Sequence, residues 1–239
     1  MQYEVKNRPF PVAICQLSPG ESVICQKGAM SWMTPNMEMS TGIGGSEAGG
    51  AKGLLGTLGK VATKALSGES IFQNTYTAGQ GQPGEIAFAS TVPGDIIAIE
   101  LDGTKTIVAQ KSAYLANSPG VKMEIFFQHK ASAGLFGGEG FIMQKFSGVG
   151  VVFLEIDGCV VEYDLAPGQS MLVDTGYLAA MDATCQVSIE TVKGVGNALL
   201  GGEGFFNTKV TGPGKVFLQT MPANIIADAI KPFIPTSNG

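Results

Sequence analysis

The chain has 239 residues, of which 44% are apolar, 15% are charged and 34 are glycine, and its formal net charge is −5. That length supports one large or two small domains with a real core, and an acidic balance without any Lys/Arg cluster excludes a basic nucleic-acid footprint. Charge this sparse covers the surface of a monomer poorly and points to an oligomer that hides part of it.

From the N-terminus, "MQYEVKNRPF" has no basic start followed by an apolar core, so no signal peptide is read, and no apolar run later in the chain is long enough to span a bilayer. The four cysteines, Cys15, Cys25, Cys159 and Cys185, show no CxxC spacing. They read as buried small hydrophobes in strands of a reduced, cytoplasmic protein. A strand segment, "YEVKNRPFPVAICQLS", leads to Pro19-Gly20 and the apolar run "ESVICQ". Residues 41–53, "TGIGGSEAGGAKG", read as a mobile loop. In 54–66, Leu54, Leu58, Val61 and Ala65 form a helical stripe.

Pro93-Gly94 and Pro167-Gly168 repeat the first Pro-Gly at equal spacing, each followed by an apolar run, "DIIAIEL" and "QSMLVDT". Small-residue steps follow in all three parts: "GAMSW", "AYLAN" and "GYLAAM". Each part then reaches a glycine-rich motif, "SGESIF" at 67–72, "GGEGFI" at 137–142 and "GGEGFF" at 201–206. An ordered set of signals recurring three times indicates a triplicated chain. Its expected repeats run over 19–92, 93–166 and 167–222, with residues 1–18 closing the third into a single pseudo-symmetric domain. The middle part reaches its small-residue step later, through an extra hairpin at Asp102-Gly103.

Strand signals dominate. "VKMEIFFQ" places Val121, Met123, Ile125 and Phe127 on one face, and "CQVSIET" does so with Cys185, Val187 and Ile189. Asp102-Gly103 and Asp157-Gly158 read as tight hairpin turns. The expected fold is all-β, an antiparallel sandwich or barrel. Short helices are added at 54–66 and at 223–231, where Pro222 opens the tail "PANIIADAIKPF".

"GGEGFFNTKVTGPGKVFLQTMP" and the weaker "GGEGFIMQKFSGVGVVFLEIDG" resemble the signature of a bacterial and archaeal family of uncharacterised proteins. The eukaryotic relatives of that family are named for altered inheritance of mitochondria. The resemblance spans nearly the whole chain. It implies a fold like the trp RNA-binding attenuation protein and, through the mitochondrial relatives, a role in inner-membrane organisation. RNA binding does not carry over, because the basic residues here are scattered: Lys122, Lys130, Lys209 and Lys215.

The glycine-rich motif raises the question of phosphate binding. "LLGTLGKV" fails the P-loop pattern twice, at Leu54 and at Val61. In "GGEG" the central Glu203 would repel a phosphate. The motif therefore reads as a turn, with glycines at positive φ and a carboxylate accepting backbone N–H groups. Gly212-Pro213-Gly214 reads as the turn that follows. The candidate motif residues are Glu69, Glu139, Glu203, Gly138, Gly140, Gly202 and Gly204. Convergence of the three glutamates about a pseudo-threefold axis would require a cation, or the carboxylates would push one another's pKa values up.

His129 is the single histidine, which rules out a multi-histidine zinc site, and no nucleophile elbow accompanies it. No cofactor or metal is expected. The first reading is a non-enzymatic cytoplasmic β scaffold or binding protein that self-associates, with a homotrimer favoured. The alternatives are a carboxylate- or metal-dependent enzyme and a peripheral membrane factor with Lys52, Lys60 and Lys64 flanking an apolar helix.

Overall fold

Period-two alternation and glycine-bearing turns give a chain that is nearly all antiparallel strand. A computed structural model describes residues 1–6, 8–43, 72–129, 140–191 and 206–234. The strands are β1 (Gln2–Lys6), β2 (Val12–Leu17), β3 (Ser22–Gln26), β4 (Trp32–Met33), β5 (Met37–Ile43), β6 (Phe72–Ala78), β7 (Gly84–Ala89), β8 (Gly94–Asp102) and β9 (Ile107–Gln110). They continue with β10 (Tyr114–Asn117), β11 (Val121–His129), β12 (Phe141–Asp157), β13 (Val160–Leu165), β14 (Ser170–Asp174), β15 (Leu178–Asp182), β16 (Gln186–Thr191), β17 (Phe206–Thr211) and β18 (Gly214–Gln219). One helix, α1 (Ala223–Ile230), closes the described chain where the tail pattern placed it. The helical stripe at 54–66 lies outside the described residues.

One scheme of pairing organises the ladders. β6 pairs with β5 and β3, the first half of β12 with β11 and β9, and β17 with β16 and β14. β7 pairs with β2 and β4, the second half of β12 with β8 and β10, and β18 with β13 and β15. β10 and β15 each follow a short 3₁₀ turn, Lys111–Ala113 and Thr175–Tyr177, and each carries a register shift near its start. The strand groups therefore run over 12–89, 94–157 and 160–219. Among the described residues the sheets keep free edges and close no barrel.

Three expectations change. In this scheme Asp102-Gly103 matches Pro19-Gly20 and Pro167-Gly168, while Pro93-Gly94 does not. Gly20, Gly103 and Gly168 have φ of 79°, 94° and 78°. Gly94 instead opens β8 as a buried residue, where a Cβ would lie 2.0 Å from the Ile156 carbonyl oxygen. Glycine spacing cannot separate a turn that needs positive φ from a close approach between strands. Next, residues 1–18 do not complete the third group: β1 pairs with β2 and β2 with β7, and no described strand of 160–219 pairs with either. Finally, Asp102-Gly103 and Asp157-Gly158 are turns but not hairpins. β8 and β9 both pair with β12, and β13 pairs with β18. At each turn the chain passes between ladders.

Three apolar clusters fill the interior. Leu17, Ile86, Phe88 and Phe153 anchor the first, Tyr114, Phe146, Leu154 and Ile156 the second, and Phe141, Met143, Met181 and Val216 the third. β12 serves all three, because Phe153 faces the first cluster, Val152 and Leu154 the second, and Phe141 and Met143 the third. Cys15, Cys25 and Cys185 are buried as expected, but Cys159 is exposed in the turn before β13.

Candidate functional site

In chain order the glycine-rich motifs precede β6, β12 and β17. Glu69, Glu139, Glu203, Gly138, Gly202 and Gly204 lie outside the described residues. Gly140 is described, and its φ of 82° fits a glycine-permitted turn into β12. Beside it His129 ends β11 opposite Phe141. Among the described residues no group of three His, Cys, Asp or Glu side chains is placed to hold a metal.

Carboxylates brought together at the β8–β12 margin bind the protein itself. Glu155 accepts from the Ser90 hydroxyl at 2.7 Å and from the Thr91 backbone N–H. Asp157 accepts from Ala223 N at 2.8 Å and so fixes the start of α1. Burial raises the Asp157 pKa and Glu155 adds to the rise, against the Ala223 N–H. Asp95, 3% exposed, is held by the Arg8 guanidinium, whose Nε lies 3.0 Å from Oδ1. Sequence reading missed this set, because β12 puts Glu155 beside a turn sixty-odd residues away.

Two of the four lysines weighed for RNA binding are paired with carboxylates. Lys209 lies 3.7 Å from Glu190, and Lys215 lies 3.4 Å from Glu162 and 3.7 Å from Asp164. Asp164 and then Glu162 raise the Lys215 pKa. Lys122 is exposed on β11, and Lys130 lies outside the described residues. An open cleft of about 430 Å³ is lined by Tyr3, Glu21, Glu100, Ser118 and Gly150, among others. Its polar groups are already engaged. The Tyr3 hydroxyl lies 3.1 Å from Glu100 Oε1, and Glu21 takes bonds from Ser18 N and the Met1 amine.

Unlike these engaged groups, several apolar side chains on strand edges meet solvent. Trp32 on β4 is 47% exposed, Leu172 on β14 60% and Tyr163 on β13 46%. β4, β13 and β14 are each an outer strand of their sheet. Edges of this kind present unpaired backbone groups as well as apolar surface. α1 adds a helix without a buried residue, followed by exposed Phe233 and Ile234.

Comparison with known proteins places these features in a lineage. An uncharacterized protein of Streptococcus pyogenes serotype M6 is 31% identical over 235 residues, covering 98% of this chain and 90% of its own length. The crystal structure of another Streptococcus pyogenes protein superposes with a TM-score of 0.76 at 24% identity, covering 98% of this chain and 99% of that one, which shows a shared fold. A family model described as mitochondrial biogenesis AIM24 matches residues 3–221. The chain belongs to the mitochondrial biogenesis AIM24 family.

Proposed function

We propose that this protein is a non-enzymatic scaffold or binding module that works as a homo-oligomer, with three strand groups per chain and a trimer as the favoured assembly. The observation that carries the reading is the pairing of free strand edges with exposed large apolar side chains, Trp32, Tyr163 and Leu172. A charged fraction of 15% supports it, since a fully exposed surface would carry more. The buried carboxylates support it too, because Glu155, Asp157 and Asp95 are committed to turns, a helix start and an arginine. Native mass spectrometry of the untagged chain tests the reading. A single closed multiple of the 24.7 kDa chain at bare polypeptide mass is expected. A stoichiometric extra mass would favour the enzyme alternative, and a monomer would end the scaffold reading.

A second reading is favoured by α1. The exposed face of Ile225 and Ile230, continued by Phe233 and Ile234, suits a lipid surface. With Asp228 and Lys231 as its charges, the segment would bind through apolar contact more than through charge. Co-sedimentation with phosphatidylcholine vesicles tests this, and Ile230→Asp with Phe233→Asp should abolish any binding. Failure of the parent protein to co-sediment would end it.

A further inference from the structure

The pairing scheme contains two filled junctions between strand groups and one open one. At the first junction β3 pairs with β10, Cys25 opposite Ala116 and Ile24 opposite Asn117. At the second, β9 pairs with β15, Ala109 opposite Ala180 and Val108 opposite Met181. The two are the same junction. Cys25 and Ala109 face Asn74 and Gln144 across their own ladders, and both of those residues stand at the same distance after the glycine-rich motif. Ala116 and Ala180 face Phe153 and Phe217, each three residues after a glycine, Gly150 or Gly214.

The same rule places a third pair. In the third group Val173 of β14 faces Thr208, and in the first group Trp32 of β4 faces Ala87, three residues after Gly84. β14 and β4 thus hold the places of β9 and β15. Yet among the described residues each is an outer strand, β14 paired with β17 alone and β4 with β7 alone. Exposure differs accordingly. Val108, Ala116, Ala180 and Met181 are each 0% exposed in the filled junctions, whereas Leu172 is 60% and Trp32 47% exposed in the open one.

We infer that β14 of one copy pairs antiparallel with β4 of the next, setting Val173 opposite Trp32 and Leu172 opposite Met33. The occupant of each edge is a second copy of this chain, since the chain itself supplies both halves of a junction it already builds twice. Such a contact is head-to-tail and uses two different patches, so successive copies form a ring where their rotation closes and an open filament where it does not. The edge backbone groups gain partners, and Leu172 and Trp32 gain the cover their counterparts have. The inference rests on the homo-oligomer reading above and adds its surface and register.

The test compares the full chain with Leu172→Asp and Trp32→Glu, both at exposed positions, by native mass spectrometry and thermal melting. Each variant should run at single-chain mass. An equimolar mixture should form a two-chain species and nothing larger, because each variant keeps one competent edge. A monomeric parent would overturn the homo-oligomer reading and this inference together. An oligomeric parent whose variants both keep its mass would overturn this inference alone. A second measurement does not depend on how the charged variants fold. Met33→Cys with Leu172→Cys, in a Cys159→Ser background, should oxidise to chains linked to one another on a non-reducing denaturing gel. An internally linked or unlinked single chain from an oligomeric parent would overturn the proposed pairing.

Discussion

Gln73 Nε2 in β6 donates to the Tyr114 hydroxyl in β10 at 2.9 Å, joining the first strand group to the second through buried side chains. The hydroxyl passes its own proton toward Asn117 Oδ1 at 2.5 Å, and Asn117 Nδ2 donates to Ser118 O at 2.7 Å. The first two links of this chain depend on the Tyr114 oxygen. Tyr114→Phe keeps the ring stacked on Phe146, with centroids 5.2 Å apart, but strands a donor on Gln73 and an acceptor on Asn117. The expected loss is about 1–3 kcal/mol by urea denaturation. An unchanged midpoint would mean that the network contributes nothing.

Arg8 and Asp95 tie the segment before β2 to the start of β8, and Gly94 N adds a bond to Pro9 O at 2.6 Å. Asp95 is nearly inaccessible while the Arg8 side chain is 74% exposed, so water screens one partner only. Arg8→Ala should cost about 1–3 kcal/mol, below the full penalty for orphaning one half of a wholly buried pair. Arg8→Lys should recover part of it, because the charge returns without the two-pronged geometry. Equal stability for both variants and parent, measured in guanidinium chloride, would show that Asp95 needs no partner.

Two carboxylates on either side of β8 and β12 should respond to pH in opposite ways. Asp102 is drawn down from 3.8 to about 2 by Lys105 N–H, then by the Thr104 hydroxyl and N–H. Its support is therefore complete above 3.8 and is lost as pH falls through about 2. Asp157 is raised, chiefly by burial and also by Glu155, so the folded chain prefers its acid form. Its support is present below 3.8 and is lost as pH rises through the raised value. Melting curves of Asp102→Asn and Asp157→Asn between pH 2 and 7 check both. The first variant should lose most against the parent at pH 7 and least at pH 2. The second should gain at pH 7 and lose that gain in acid. Parallel curves for variant and parent would refute either assignment.

Much of this was legible from local pattern. Lys122, Glu124, Phe126 and Gln128 point outward while Val121 is buried and Met123, Ile125 and Phe127 are half-buried, as period two requires. Pro222 marks where α1 begins. What stayed hidden was the partner of each strand. Nothing in "LDG" or "IDGCV" tells that β8 and β9 will both lie on β12, or that β13 will cross to β18, because turn residues record φ and carry no information about pairing. The Glu155, Asp157 and Asp95 set was invisible for the same reason. Its partners come from distant ladders, and no spacing along the chain encodes them.

Gly148-Val149-Gly150 shows what glycine does at such a crossing. Up to Gly148, β12 pairs with β11, and from Val149 onward it pairs with β8. Gly148 has φ 105°, and a Cβ there would lie 2.3 Å from Gly120 O; at Gly150, φ is 145° and a Cβ would lie 2.0 Å from Ser118 Oγ. Gly148→Ala thus meets both an unfavourable φ and a backbone clash that no rotamer relieves, and it should cost about 3 kcal/mol or more. Gly103 has φ 94° but a nearest neighbour at 3.4 Å, the Val149 side chain. Gly103→Ala therefore meets the φ penalty alone and should cost about 1 kcal/mol. Val149, 64% exposed at the same corner, should tolerate Thr with little change. Urea midpoints for the three variants should fall in that order. Equal losses at Gly148 and Gly103 would mean that the corner relaxes around a methyl group, and that the close approach of β12 to the Gly120 turn is not what holds the crossing.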